Sequence, residues 1–306
     1  MDRIDDLLEK TSRTFALSIP LLPEPSRREL SIAYLLFRIA DTLEDAADWD
    51  PQQQVAALDD FVEVVRNSDL ERATQLGRQW AHDIPIEHDG YQELLRDTDL
   101  VMREFCRLSA PARAIITEHT VRTARGMAGF VERAQDGVLE LTDVEDLRRY
   151  CYVVSGIVGE LSTELFLLDR PVLDEVATAL RERAARFGEA LQLVNILKDA
   201  AFDSAEGRRY LPSSADRARV FELAREDLGI AADYTVTLQH SGAPRGVVAF
   251  CALPVRLAFA ALDRVEAAGS GAKISREQVY ATVAAMNQAL DEGRPAVDVG
   301  VAIVCS

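Results

Sequence analysis

The chain has 306 residues, 48% of them hydrophobic and 28% charged, which is typical of a globular protein with a sizeable core. Its formal net charge of −17 argues against nucleic-acid binding, which needs a basic face, but not against anionic ligands held through bound cations. Cys106, Cys151, Cys251 and Cys305 form no CxxC pair, so we predict neither a zinc site nor a disulfide framework.

Helical periodicity dominates the chain, and no segment alternates strictly with period two. We therefore predict an all-α fold. No linker, repeat or low-complexity segment divides it, so residues 1–306 are expected to form a single domain. Helices are predicted at 26–47, 52–66, 69–82, 90–108, 110–135, 143–168, 173–202, 214–228, 230–240, 244–268 and 275–290.

The first residues, MDRIDDLLEK, are acidic and contain no apolar run, so no signal peptide is predicted. No stretch is expected to reach the roughly 18–20 apolar residues that span a bilayer. These features, with thiols expected to be reduced, predict a cytoplasmic protein with at most transient, peripheral contact with a membrane surface. The oligomeric state is left open.

Acidic residues cluster at the end of the helix predicted at 26–47. Asp41, Glu44 and Asp45 follow the apolar stretch YLLFRIA at positions i, i+3 and i+4, so their carboxylates share one helical face. Clustered like charges on a mostly buried helix repel one another, and a cation should offset them. Oxygen ligands of this kind suit Mg²⁺, with Mn²⁺ as an alternative, and Mg²⁺ commonly bridges carboxylates to phosphates. We call these three residues the first acidic face.

A second acidic face follows the apolar run FGEALQLV. Asn195, Asp199 and Asp203 are spaced by four residues, which stacks them along one side of a helix. One such cluster alone is more often a solvated surface. Two clusters about 150 residues apart, each at the end of an apolar helix, favour a metal site between facing helices of a bundle.

Basic residues accompany both faces. Arg13, Arg38, Lys198 and Arg208 each lie within or beside an acidic segment or in TSRTF. Each alone is more often a surface charge or an ion-pair partner. Because guanidinium groups match phosphate oxygens in a forked geometry, the combination with two carboxylate clusters predicts a site for a diphosphate group.

Four segments together resemble the squalene/phytoene synthase family of head-to-head prenyl transferases, over about residues 11 to 290. They are TSRTFALSIPLLP at 11–23, YLLFRIADTLED at 34–45, YCYVVSGIVGELSTELF at 150–166 and LQLVNILKDAAFDSAEGRRYLP at 191–212. The resemblance implies an isoprenoid-synthase-type helical bundle with a central active-site cavity. It also implies Mg²⁺ and prenyl diphosphate substrates.

Two further segments resemble the squalene synthase branch: VVAFCALPVRLAFAAL at 247–262 and then KISR at 273–276. This resemblance implies condensation of two farnesyl diphosphates to presqualene diphosphate, followed by NADPH-dependent reduction to squalene. Phytoene, dehydrosqualene or presqualene diphosphate synthases that lack the reductive step are alternatives. A non-catalytic prenyl diphosphate-binding protein is an alternative of another class, and a terpene cyclase fits the SRTF and GRRYLP segments poorly.

The resemblance also implies roles for individual residues. Those expected to hold metal are Asp41, Glu44, Asp45, Asn195, Asp199 and Asp203. Those expected to bind substrate are Ser12, Arg13, Phe15, Tyr34, Arg38, Lys198, Arg208, Tyr210 and Phe250. Catalytic roles fall to Asp41, Asp45, Asp199, Asp203 and Tyr150, the last as a base or a cation stabiliser. Phosphates of the cofactor are expected to meet Arg13, Arg38, Lys198, Lys273 and Arg276.

The chain departs from the family pattern at several positions. Lys198 stands where arginine is usual, and Phe202 stands where glutamate is usual. Ser275 interrupts the basic stretch, and Val255 replaces a common polar residue. These changes bear on the NADPH step more than on the condensation.

Two glycines, Gly156 and Gly159, lie within the helix predicted at 143–168, where glycine costs about 1 kcal/mol relative to alanine. They indicate either close approach of a substrate to the backbone or tight packing of two helices.

Overall fold

A computed structural model describes residues 2–12, 14–46, 48–84, 88–134, 138–168, 170–205, 207–211 and 214–297, except the side chains of 214–216. Arg13 therefore lies outside the described residues. The α-helices are α1 (Arg3–Thr11), α2 (Phe15–Ser18), α3 (Ser26–Glu44), α4 (Pro51–Asn67), α5 (Leu70–Asp83), α6 (Asp89–Arg96), α7 (Thr98–Cys106), α8 (Ala110–Val131), α9 (Val144–Cys151), α10 (Ile157–Leu167), α11 (Ala177–Ala205), α12 (Ser214–His240), α13 (Arg245–Ala268) and α14 (Arg276–Asp291).

Shorter elements join the helices. A π-helical segment, Tyr152–Gly156, connects α9 to α10, and 3₁₀ turns occupy Ile19–Leu21 and Pro171–Val176. Two-residue strands β1 (Leu139–Glu140) and β2 (Arg208–Arg209) pair in parallel. The predicted all-α class is confirmed, because this short pair is the only sheet among the described residues.

Two predicted helix boundaries were wrong. The helix predicted at 90–108 is broken at Asp97, whose backbone leaves helical geometry and whose side chain accepts a 2.7 Å hydrogen bond from Arg3 on α1. Conversely, the helices predicted at 214–228 and 230–240 are one helix, α12, which runs through Gly229. Glycine weakens a helix but does not end it when neighbours such as Leu228 and Ala231 are buried.

The core places α10 between the two helices that carry the acidic faces. Helix α3 packs against α4, α7 and α8, and α11 packs against α12 and α13. Helix α10 packs against both α3 and α11. The apolar stretches that precede the acidic faces are buried, as expected for helices that end at a site inside a bundle.

Glycines allow α10 and α11 to approach closely. A Cβ atom on Gly159 would lie 2.0 Å from the carbonyl oxygen of Ala184, and one on Gly188 would lie 2.0 Å from that of Ser155. The Ser155 hydroxyl also donates to the Gly188 carbonyl at 2.9 Å. Of the two interpretations of Gly159, tight helix packing is therefore the one that the structure supports.

Substitutions at two glycines should change stability in opposite directions. Gly159→Ala is expected to destabilise the protein by about 2–3 kcal/mol, because the backbone of α11 must move. Gly229→Ala is the matched control: no atom lies within 4 Å of its added Cβ, so it should stabilise α12 by roughly 0.5–1 kcal/mol. Urea unfolding measures both changes, and an unaltered midpoint for Gly159→Ala would contradict the packing account.

An ion pair between a half-exposed Arg133 and a buried Asp146 fixes the start of α9. Asp146 is fully buried and accepts hydrogen bonds from Arg133 Nη1 at 2.9 Å and from the Thr142 amide at 3.1 Å. The bond from Arg133 outweighs the opposing effect of burial and lowers the pKa of Asp146 to about 2. This pair holds the amino-terminal end of the helix that carries Tyr150.

Asp146→Asn should cost about 2 kcal/mol of unfolding free energy at neutral pH. Because the folded-state pKa lies below the unfolded one, the contribution of this carboxylate is complete above about pH 5 and is lost as the pH falls towards 2. The difference between wild type and variant should therefore be constant from pH 7 to 5 and narrow below about pH 4. If the difference in unfolding free energy between wild type and Asp146→Asn did not change with pH, the ionised Asp146 carboxylate would not be the source of the stability.

Helix α13 corrects the expectation that no segment is long and apolar enough to cross a membrane. By length and composition alone, Arg245–Ala268 passes that test, as the one such helix among the described residues. Yet 67% of its apolar stretch is buried inside the protein. Burial on this scale is typical of a core helix, and α13 indeed packs between α11, α12 and α14.

Candidate active site

The first acidic face lies at the carboxyl end of α3. Arg38, one turn earlier, bonds the Asp41 carboxylate through Nη1. Its Nε and Nη2 atoms donate to the Tyr34 hydroxyl at 3.3 and 3.2 Å. That hydroxyl in turn donates to the Thr11 carbonyl at 2.8 Å. Burial alone would lower the pKa of Arg38, but the Asp41 carboxylate together with Tyr34 and Tyr91 outweighs it and raises the pKa above its usual value.

Two side chains outside the sequence motifs, Tyr91 and His88, complete the surroundings of Arg38. Its guanidinium carbon lies 5.6 Å from the ring centroid of Tyr34 and 5.5 Å from that of Tyr91 on α6. His88 stacks on Tyr91 with centroids 4.4 Å apart. Aromatic faces attract a cation at this range, so the guanidinium is held in place before any ligand binds.

Arg208 brings the segment after α11 to the first acidic face. Its Nη2 atom lies 2.7 Å from Asp45 Oδ1. Strand pairing of β2 with β1 fixes the backbone of Arg208 opposite Leu139. Glu44, beside Asp45, is buried, and burial together with the charges of Asp45 and Asp41 raises its pKa well above the usual value. The raised pKa favours the neutral form of Glu44, whereas Asp41 and Asp45 are each paired with an arginine.

Tyr150 and Tyr210 form a buried pair next to this charge. Their hydroxyl oxygens are 2.9 Å apart, and their rings stack with centroids 4.7 Å apart. Phe130 contacts the Tyr150 ring edge-on at 5.2 Å. Burial raises the pKa of both phenols, and the Glu44 carboxylate raises them further. Both tyrosines are thus neutral hydrogen-bonding groups at physiological pH.

Aromatic rings connect the core to Arg38. Phe166 contacts Phe250 with centroids 5.7 Å apart, Phe250 contacts Phe15 at 6.2 Å, and Phe15 contacts Tyr34 at 5.5 Å. Because Tyr34 is bonded to Arg38, this row of rings leads from an apolar interior to the charged end of α3. We call it the aromatic row.

The Ser12 hydroxyl is hydrogen-bonded to the backbone and supports the aromatic row. Its Oγ atom accepts hydrogen bonds from the backbone amides of Phe15 at 3.0 Å and Ala16 at 3.2 Å. These bonds satisfy the first two amides of α2, and they position α2 and with it Phe15. The predicted contact of Ser12 with substrate stays a prediction.

The second acidic face is more open than the first. Asn195 is exposed, and the Asp199 side chain is 39% exposed. Lys198 Nζ lies 3.1 Å from Asn195 Oδ1 and 3.2 Å from Asp199 Oδ2, so this lysine bonds the face itself. Asp203 lies one turn further on, half-buried. Phe202 is 64% exposed, so it occupies the place of the family glutamate as a surface side chain.

The segment between α13 and α14 docks beside the second face. The Gly271 amide donates to the Lys198 carbonyl at 2.7 Å, which brings the loop with Lys273 next to α11. Lys273 and Arg276 are both exposed. Ser275, which interrupts the basic stretch, caps α14 in a reciprocal capping box with Gln278. A structural requirement of α14 therefore explains that departure.

The oxygen donors of both faces fit the chemistry of Mg²⁺, which prefers hard oxygen ligands. No three His, Cys, Asp or Glu side chains among the described residues are close enough to form a ready-made cage. Asp41 and Asp45 are bonded to arginines instead. Because Mg²⁺ usually keeps several waters and binds substrate phosphates, one or two carboxylates on each helix are sufficient.

Comparison with known proteins bears on this arrangement. A family model described as squalene/phytoene synthase matches residues 8–215, a range that contains both acidic faces and the tyrosine pair. The chain belongs to the squalene/phytoene synthase family. The predicted membership is thus confirmed.

Curated relatives of this squalene/phytoene synthase family member point to one branch. The squalene synthase of Mycosarcoma maydis is 31% identical over 208 residues, 67% of this chain and 34% of the relative. That of Schizosaccharomyces pombe is 28% identical over 285 residues, 86% of this chain and 59% of the relative. The chain therefore spans roughly a third to three fifths of the length of such relatives.

A solved structure supports the fold. The complex of TcSQS with the ligand BPH1237 superimposes with a TM-score of 0.71 at 22% identity, over 95% of this chain and 88% of that chain. This likeness concerns the all-α architecture alone.

Proposed function

We propose that the protein is a prenyl transferase that joins two farnesyl diphosphates head to head, through presqualene diphosphate, to give squalene. The observation that carries the proposal is the aromatic row, which ends at arginines bonded to the first acidic face. At such a site a prenyl chain would lie along apolar side chains and its diphosphate would lie at the charged end. Family membership and relatives that are named squalene synthases support it.

Arginines would bind the leaving diphosphate. Arg38 and Arg208 are held at the site by Asp41 and Asp45, and the forked geometry of a guanidinium matches phosphate oxygens. Lys198 would add a point charge from the second face. Mg²⁺ (or Mn²⁺) held by Asp41, Glu44, Asp45, Asn195, Asp199 and Asp203 would neutralise the negative charge that develops on the leaving group.

Tyr150 would act as a neutral phenol. Its raised pKa argues against a standing phenolate base at physiological pH. The hydrogen bond between Tyr150 and Tyr210 uses the hydrogen of one of the two hydroxyls. The hydrogen of the other hydroxyl would be donated to a substrate oxygen. The ring faces and the surrounding apolar side chains would stabilise an allylic cation and exclude water from it.

The reductive step belongs to the same proposal. Lys273 and Arg276 are exposed, and the turn that precedes Lys273 is bonded to α11. They would meet phosphates of NADPH, which supplies the hydride. Arg38 and Lys198 would contribute from the bundle. We further propose a cytoplasmic enzyme that touches a membrane surface to take up and release apolar molecules.

One incubation tests the proposal. Purified protein receives farnesyl diphosphate and Mg²⁺, with and without NADPH, and the products are extracted and identified. Squalene formed only with NADPH is the expected result. Presqualene diphosphate or dehydrosqualene under both conditions would mean that the reductive step is absent, and phytoene from geranylgeranyl diphosphate would indicate the other branch. Magnesium-dependent binding of a diphosphate analogue without turnover would favour a non-catalytic binding protein.

A further inference from the structure

The turn Gly269–Gly271, between α13 and α14, enters the hydrogen bonding of α11. The Ser270 hydroxyl donates to the Lys198 carbonyl at 3.0 Å and accepts from the Ala201 amide at 3.1 Å. The Gly271 amide donates to the same carbonyl at 2.7 Å. We call this arrangement the Ser270 clamp.

The Ser270 clamp bonds a backbone carbonyl and a backbone amide that would form hydrogen bonds within a regular α-helix. There, the Lys198 carbonyl would accept from the Phe202 amide, and the Ala201 amide would donate to the Leu197 carbonyl. A side chain inserted at such a place is one of the known causes of local bending in helices. The engaged groups, at 198 and 201, lie on either side of Asp199 and before Asp203 of the second acidic face.

The backbone of the turn is built for this contact. Gly269 has φ +86° and Gly271 has φ +84°, a left-handed conformation that glycine adopts without strain. Ser270 lies between them, so its hydroxyl is presented to α11 by two residues whose conformations favour glycine. The same turn leads within two residues to Lys273.

We propose that the Ser270 clamp positions the second acidic face. It sets the direction of the last turns of α11, and hence the place of Asp203 relative to Asp199, and it ties the loop with Lys273 to the same helix. Ser270 is thus a positioning residue for metal and diphosphate binding. The effect on metal and diphosphate binding rests on the proposed function. The mechanical effect, on the geometry of α11, does not.

Hydrogen exchange tests the mechanical part without any substrate. In Ser270→Ala, amides of 198–205 should exchange several-fold faster, while amides of 185–194 on the same helix stay unchanged. Ser270→Thr keeps the hydroxyl and should restore protection. Ser241→Ala is the matched control, because the Ser241 hydroxyl donates locally to the Leu238 carbonyl. Unchanged exchange at 198–205 in Ser270→Ala would overturn the clamp.

Calorimetry tests the binding part without turnover. The Mg²⁺ concentration that half-saturates binding of inorganic diphosphate should rise roughly tenfold in Ser270→Ala, as for loss of an outer-shell partner of a metal ligand, and should recover in Ser270→Thr. Faster exchange with an unaltered Mg²⁺ requirement would overturn the positioning role. Failure of the wild type to convert farnesyl diphosphate would reject the proposed function, and hydrogen exchange would still decide the mechanical part.

Discussion

Asp41→Asn is expected to lower turnover of farnesyl diphosphate by a factor on the order of a thousand while the helical fold persists. The substitution removes one negative charge from the place where the cation would bind. It also removes the carboxylate that holds Arg38, so two groups that face the leaving diphosphate are impaired together. Asp199→Asn should have an effect of similar size from the second face. Product formation at saturating Mg²⁺ measures the rate, and far-UV circular dichroism checks the fold.

A matched control separates charge at the site from charge in general. Asp233→Asn makes the same chemical change at an exposed position of α12 and should leave turnover unaltered. Raising Mg²⁺ should recover part of the activity of Asp41→Asn if the defect is weakened metal binding. Turnover near the wild-type rate in Asp41→Asn or Asp199→Asn would remove the acidic faces from the mechanism.

Local patterns predicted most of the fold because strong helical periodicity, with prolines and polar caps at its ends, is a property of neighbouring residues. Local patterns gave the wrong helix boundaries where contacts between distant parts of the chain determine the structure. The break at Asp97 depends on Arg3, which lies 94 residues away. The continuity of α12 through Gly229 depends on the burial of its flanks rather than on the glycine itself.

Spacing along a helix placed the carboxylates on common faces but did not identify their partners. Asp45 meets Arg208 through the pairing of β1 with β2, and no periodic pattern indicates that contact. Tyr91 and His88 reach Arg38 from a segment without any motif. The partners of a charged group in a bundle depend on how helices pack in three dimensions.

The four departures from the family pattern fall into two groups according to their surroundings in the structure. Ser275 caps a helix, and Val255 is fully buried, so both serve the fold. Phe202 is exposed beside the second face, and Lys198 bonds Asn195 and Asp199. Only the last two lie where they would alter ligand binding, which concentrates the chemical differences of this chain on α11.

Tyr150→Phe should reduce turnover by about 10²–10³-fold, the range for loss of a positioned donor or proton-transfer group. Phenylalanine keeps the edge-on contact with Phe130, so the ring stays in place and only the hydroxyl is lost. The Tyr210 hydroxyl would then lose its partner at 2.9 Å and be left buried beside Glu44. Rates with farnesyl diphosphate and Mg²⁺, measured with a thermal unfolding scan of each variant, test this expectation.

Tyr234→Phe is the control for removing a buried phenol. Tyr234 is also fully buried, and its hydroxyl pairs with Thr163 at 2.9 Å, so the variant should lose a comparable amount of stability but little turnover. Because the pKa of Tyr150 is raised, the rate should also show no ionisation of a phenol near neutral pH. Equal losses of turnover in the two variants would mean that Tyr150 acts through stability alone. A large loss confined to Tyr150→Phe would assign the chemistry to the hydroxyl beside the first acidic face, where the diphosphate of the substrate would lie.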